Sequence, residues 1–144
     1  MMPVPIGNAV ETIRRNTGVF RTPQGVFWLN PELLNIAVSP TTGLATSSTL
    51  KPGLFRHPKA GEIGYLGEGM FKTPRFFQTD FSIMKKTRVS ESSNIEFRAE
   101  FFNFFNNANF IVPQANTNLD SQQFGRITNT YAPRFVQLTM RVNW

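Results

Sequence analysis

Apolar and polar residues alternate strictly in three stretches of this chain, and a period of two is the signature of a strand with unlike faces. In residues 94–104, Ile95, Phe97, Ala99 and Phe101 fall on one side while Glu96, Arg98 and Glu100 fall on the other. Residues 76–87 set Phe77, Thr79, Phe81 and Ile83 against Gln78, Asp80, Ser82 and, less cleanly, Met84. The third stretch, 134–144, carries Val136, Leu138, Met140, Val142 and Trp144 on one face against Gln137, Thr139, Arg141 and Asn143 on the other. A short polar link separates the first two stretches in the chain, so the pair reads as an antiparallel hairpin. A long segment rich in Asn, Gln and Thr, 105–133, leads into the third.

Residues 1–75 have no such rhythm. They hold eight of the ten prolines and most of the glycines, so this half reads as loop. One hairpin stands out, near 19–29, in which Val19–Arg21 and Val26–Leu29 flank Thr22-Pro23-Gln24-Gly25. Proline suits the second position of a turn and glycine the fourth. After it, "NPELLNIAV" predicts a short helix with Asn30 as N-cap and Pro31 in the first turn. Residues 39–53 read as flexible connection.

A sheet with one apolar and one charged face buries the apolar face against a second sheet in a sandwich, or against lipid in an outer-membrane barrel. Strands of about 11 residues, rising about 3.3 Å per residue and tilted by about 40–45°, span roughly 25 Å, the height of a barrel's apolar band. Soluble strands more often run about five or six residues. The connections alternate short and long, as periplasmic turns and extracellular loops do. That pattern puts the link between the first two strands on the periplasmic side and 105–133 outside. Nine of the fifteen phenylalanines lie between Phe76 and Phe110, with Phe76, Phe77, Phe104 and Phe105 at strand ends of the same side, as an aromatic girdle requires. The expected fold is therefore all-β: antiparallel strands of an incomplete outer-membrane β-barrel, with a long loop-rich N-terminal half. Phe81, Ile83, Ile95, Phe97, Phe101, Val136, Leu138, Met140 and Val142 are expected to face lipid, and Asp80, Glu96, Arg98, Glu100 and Arg141 the lumen.

Composition changes this picture little. The 144 residues carry a net charge of +6 and no cysteine, which removes disulfides and thiolate metal sites. The basic residues are scattered among acidic ones and no recognition motif accompanies them, so no nucleic-acid partner is expected. No apolar run approaches the roughly 18 residues of a transmembrane helix, and the start "MMPVPIGNAVETIRRN" lacks the pattern of a signal peptide.

Several phrases also resemble a known family. "FFQTDFSIMKK", "IEFRAEFFNFFNNANF", "FGRITNT" and the strand ending in Trp144 look like the last strands of Oar-like TonB-dependent receptors, and "TGVFRTPQGVFWLNPELL" with "FRHPKAGEIGYLGEGMFKTPRFFQTDF" look like the region before them. The resemblance begins at about Thr17 and keeps the family's order. It implies a part in ligand uptake across the outer membrane, with outer-membrane lipid, the rest of the barrel and plug, and the barrel-assembly machinery as partners. The inner-membrane TonB complex would be reached only through an N-terminal part that this chain lacks. Trp144 would be the aromatic residue read as the barrel-assembly signal. Such receptors carry a signal peptide, a carboxypeptidase-regulatory-like domain, a plug and some twenty-two strands, whereas this chain shows three of those strands. Three strands cannot close a barrel, so a fragment, a truncated product or a misassigned start at Met1 is expected. The alternative is a free-standing secreted or surface β-domain that binds an anionic polymer or a carbohydrate.

No catalytic, cofactor or metal site is expected, and no enzyme. His57 is the single histidine and reads as a surface loop residue. "GEIGYLGEG", 61–69, lacks the lysine-serine ending of a phosphate loop and reads as turns. Glu62 with Glu68, and Glu96 with Glu100, read as loop or lumen charges rather than acid-base pairs. The amides of "NNANFIVPQANTN" suit either carbohydrate binding or tight turns.

Overall fold

The computed structural model describes residues 3–64, 69 and 71–144. Their strands in chain order are β1 (Val4–Pro5), β2 (Thr17–Thr22), β3 (Gly25–Leu29), β4 (Leu34–Val38), β5 (Ala45–Leu50), β6 (Phe55–Arg56), β7 (Phe81–Arg88), β8 (Asn94–Phe102), β9 (Phe110–Ile111), β10 (Arg126–Ile127), β11 (Asn129–Thr130) and β12 (Phe135–Asn143). One helix, α1 (Ala9–Arg15), and two short 3₁₀ turns, Pro31–Leu33 and Gln114–Thr117, complete them. The fold is thus all-β with antiparallel sheets, none of them closed. The chain divides into two units: Met1–Pro74 with Phe110–Asn129, and Arg75–Asn109 with Thr130–Trp144.

The first unit is where the loop reading of the N-terminal half has to be corrected. Ile13, Phe27, Trp28, Leu29, Leu34, Ala45, Phe124 and Ile127 form one buried cluster there. The expected hairpin is present: β2 and β3 pair antiparallel with Thr22 opposite Gly25, leaving Pro23 and Gln24 as its tip. On the far side of β3 sits β10, with Ile127 opposite Val26. Segment 110–129, read as loop from its composition, therefore supplies part of this core. The side chain of Asn30 does accept from the Glu32 N–H, 3.1 Å, but the helix it caps stops after Leu33. Leu34–Val38 is a strand instead, paired with β5, which lies inside the stretch read as flexible. Ile36 and Val38 are β-branched and alternate with Asn35 and Ala37, which favours pairing over another helical turn.

The phrase "FGRI" owes its form to this core. Phe124 meets Trp28 edge to face, ring centroids 5.4 Å apart, and its carbonyl accepts from the buried Ser48 hydroxyl, 2.7 Å. The Trp28 indole N–H donates to the Asn116 carbonyl, 3.2 Å, and the Asn116 amide donates to the Arg126 carbonyl, 3.0 Å. Gly125 lies between them at φ +84°, where a Cβ would come within 2.8 Å of Leu34 Cδ1. Alanine at this position would be strained in the backbone and would displace a buried leucine. Gly125→Ala is expected to destabilise this unit by about 1–3 kcal/mol, read as a lower denaturation midpoint of the Trp28 fluorescence.

Near β6 the Arg56 guanidinium grips Glu62 through two bonds of 2.6 Å, and the Lys59 N–H adds a third, 3.0 Å. The Arg56 hydrogen bond, then the Lys59 N–H, lower the Glu62 pKa from 4.5 to about 2. A depressed carboxylate pKa stabilises the folded loop fully above the unfolded value and loses that effect as pH falls through the folded one. The loop is therefore expected to hold its structure from neutral pH to below 4.5 and to loosen only towards pH 2, which an NMR titration of the Glu62 carboxyl would read.

Candidate functional site

In the second unit β7, β8 and β12 form an antiparallel sheet in the order β12-β8-β7. The sequence explains each strand by its alternation, and the pairing aligns the alternations in register. Val136, Phe101 and Phe81 stand side by side across the sheet, then Leu138, Ala99 and Ile83. Met140 and Phe97 come next, beside Lys85, and the last row on this face is Val142, Ile95 and Thr87. The nine residues expected to face lipid thus share one face of one sheet. Phe104 packs against Phe81 and Phe101 at one end, but most of the face is open: Leu138 is 65 % and Met140 70 % exposed. Trp144 follows β12 with the same parity and is 92 % exposed.

The opposite face is a ladder of charge. Gln137, Glu100 and Ser82 form one row, Thr139, Arg98 and Met84 the next, and Arg141, Glu96 and Lys86 the third. Arg98 lies between two acids of its own strand, 3.4 Å from Glu96 and 4.0 Å from Glu100. In the third row Glu96 has a cation on each neighbouring strand, an arrangement that favours pairing across a sheet. Glu96, Arg98, Glu100 and Arg141 therefore share this face.

Asp80, the remaining expected lumen residue, immediately precedes β7 and has a structural task. Its carboxylate accepts from the Asn103 N–H, 2.9 Å, and from the Gln78 amide, 3.0 Å. Asn103 ends β8, because it adopts φ 52°, a left-handed conformation that a strand cannot continue. The regular strands consequently stop short of the alternation at this end: β7 begins at Phe81 rather than 76, and β8 ends at Phe102 rather than 104.

Beyond β8 the chain forms an asparagine knot that strand periodicity does not reveal. Asn103 is 2 % exposed; its amide donates to the carbonyls of Asn107, 3.0 Å, and Ala132, 3.4 Å, and its side-chain oxygen accepts from the Asn107 N–H, 3.0 Å. Asn109, 3 % exposed, exchanges two bonds of 2.9 Å with the backbone of Phe77, donating to its carbonyl and accepting from its N–H. Asn106, at φ 54°, accepts from the Arg134 N–H, 3.1 Å. These amides act as substitute backbone, tying the segments that lead into β7 and β12 to the end of β8. The signal in the sequence is asparagine, the non-glycine residue that best tolerates positive φ, placed directly after a strand. The phenylalanines beside them contact one another, with the Phe104 ring 5.8 Å from both Phe81 and Phe101 and 5.3 Å from Phe105.

The other candidate chemistry lies in the first unit. His57 Nε2 is 3.3 Å from Asp120 Oδ1, both side chains mostly exposed. Glu62 is held by Arg56, whereas Glu68 and part of the 61–69 glycine stretch lie outside the described residues. Among the described residues no cluster of three metal-binding side chains occurs.

A family model described as an outer membrane beta barrel domain matches residues 8–137. No curated protein and no solved structure matches the chain.

Proposed function

This chain belongs to the outer membrane beta barrel domain family, which places it in the outer membrane in association with its lipid, and from that premise we propose that it is the C-terminal part of a TonB-dependent receptor. In this reading β7, β8 and β12 are wall strands, their apolar face meets lipid, and the charged face of Glu96, Arg98, Glu100 and Arg141 looks into the lumen. The chain takes a structural part in the uptake of a bulky ligand and performs no catalysis. The observation that carries the reading is the register: three alternating strands align four rows of mostly apolar residues on one exposed face, with Lys85 the one charge among them, and Glu96, Arg98, Glu100 and Arg141 on the other. A free-standing secreted domain would leave that apolar face in water. The likeness of "FRAEFFNFFNNANF" and "FGRI" to Oar-like receptors supports this class of barrel. The inner-membrane TonB complex and the plug belong to the proposal, as does the assembly machinery.

Energy coupling tests it. With the protein at its full natural length, cells should take up one member of a panel of ligands too large for diffusion pores. That uptake should vanish equally when this gene or the TonB complex is deleted. Uptake that needs this protein but survives loss of the TonB complex would leave a barrel and remove the receptor.

A further inference from the structure

One charge breaks the apolar face. Lys85 pairs with Phe97, which pairs with Met140, so alternation and register send its side chain to the same side as Ile83, Leu138 and Ile95. No carboxylate stands in any of the four rows of that face. The nearest acid across the sheet, Glu96, belongs to the other face, where Lys86 and Arg141 flank it. Lys85 is thus a cation among apolar neighbours with no carboxylate in the paired rows of its own face.

Position along the strand gives the charge a destination. The β7–β8 link is a short turn closed by the Val89 N–H on the Ser93 carbonyl, 2.9 Å, and short turns lie on the periplasmic side of outer-membrane barrels. At about 3.3 Å per residue and a tilt of about 40–45°, the four residues from Lys85 to Val89 rise roughly 10 Å. A lysine stem laid along the apolar surface covers most of that distance while its ammonium seeks the polar boundary. Trp144 ends the same face at the same end, as residues that mark the interface do.

We propose that Lys85 binds the phosphate of a phospholipid in the periplasmic leaflet, so that one lipid is held by its headgroup at Lys85 and by its chains on Phe97, Met140 and Leu138. This rests on the apolar face meeting lipid. The lipid supplies the missing anion and the apolar cover together, a complement that neither water nor a free anion provides.

The test uses the protein at its full natural length, with ¹⁵N-labelled lysine and arginine side chains, reconstituted into vesicles of phosphatidylethanolamine and phosphatidylglycerol. Solid-state NMR then reads which lysine Nζ signals are dephased by lipid ³¹P. One dephased signal should be lost in Lys85→Gln, and in Lys85→Arg a dephased guanidinium signal should replace it, which also covers failure of the glutamine variant to fold. Galactosyl diacylglycerol vesicles supplemented with inorganic phosphate should give no such signal. In parallel, a fluorophore on a cysteine at Leu138 should be quenched by brominated acyl chains. Quenching at Leu138 with dephasing unaltered by both Lys85 variants would overturn the proposal and leave the lipid-facing reading standing. An unquenched Leu138 would sink that reading and the proposal with it. Dephasing that appears only when lipopolysaccharide replaces the phospholipid would overturn the assignment to the periplasmic leaflet.

Discussion

Arginine at Leu138 should cost the membrane-inserted protein about 2–4 kcal/mol, because a guanidinium at the midplane of the lipid face loses its hydration without gaining a partner. Leu138 is the middle of its strand and shares its row with Ala99 and Ile83, so no protein acid can approach it on that face. Phe97→Arg should cost a similar amount, reduced by whatever the longer side chain recovers by reaching the periplasmic boundary beside Lys85. On the opposite face Arg98→Gln removes two ion pairs, but both are long and the arginine side chain is 45 % exposed. Exposed pairs of this kind contribute at most about 1 kcal/mol. Folding into vesicles across a denaturant series, followed by the mobility shift of folded barrels on gels, measures all three. Equal tolerance of arginine at Leu138 and of glutamine at Arg98 would mean that the apolar face does not meet lipid.

The parts of the fold legible in advance are those that period-two patterning encodes locally. Each residue between Ile95 and Phe101 declares its face by its neighbours, and in-register pairing carries that choice across β7 and β12. Thr22-Pro23-Gln24-Gly25 and Asn30-Pro31 are equally readable, because turn and cap chemistry depends on adjacent residues. The features that stay hidden depend on partners far along the chain. Phe124 and Ile127 look like isolated apolar residues in polar sequence until Trp28 and Val26 are placed against them, so segment 110–129 reads as loop although it completes a core. β4 and β5 escape for a related reason: "NIAV" and "ATSST" are short, and their strand character comes from pairing with each other. The asparagines are visible as a cluster, but composition alone does not separate an amide that binds a ligand from one that replaces a backbone partner.

Asn103 separates those two roles. It carries two burdens at once: a left-handed backbone at φ 52° and a buried amide joined to Asn107 and Ala132. Alanine fails at both. The backbone conformation costs a residue with an ordinary Cβ about 1–2 kcal/mol, and losing the hydrogen bonds to half-buried Asn107 and exposed Ala132 costs about 1 kcal/mol more. Asn103→Ala is therefore expected to destabilise the second unit by about 2–3 kcal/mol, the sum of the two effects. Glycine accepts the backbone conformation freely and fails only at the amide, so Asn103→Gly should fall between asparagine and alanine. Aspartate keeps the acceptor for the Asn107 N–H but loses both donors and brings a second carboxylate towards Asp80, which already takes the Asn103 N–H. It should be harmful, because two like charges then share the end of the strand. Denaturant midpoints of the parent and of the glycine and alanine variants, falling in that order, give the ranking that a structural knot requires. If instead all variants unfold together with the parent while binding to an immobilised carbohydrate is lost, the amides are a recognition surface, and the turn at the end of β8 is held by Asp80 and the phenylalanines alone.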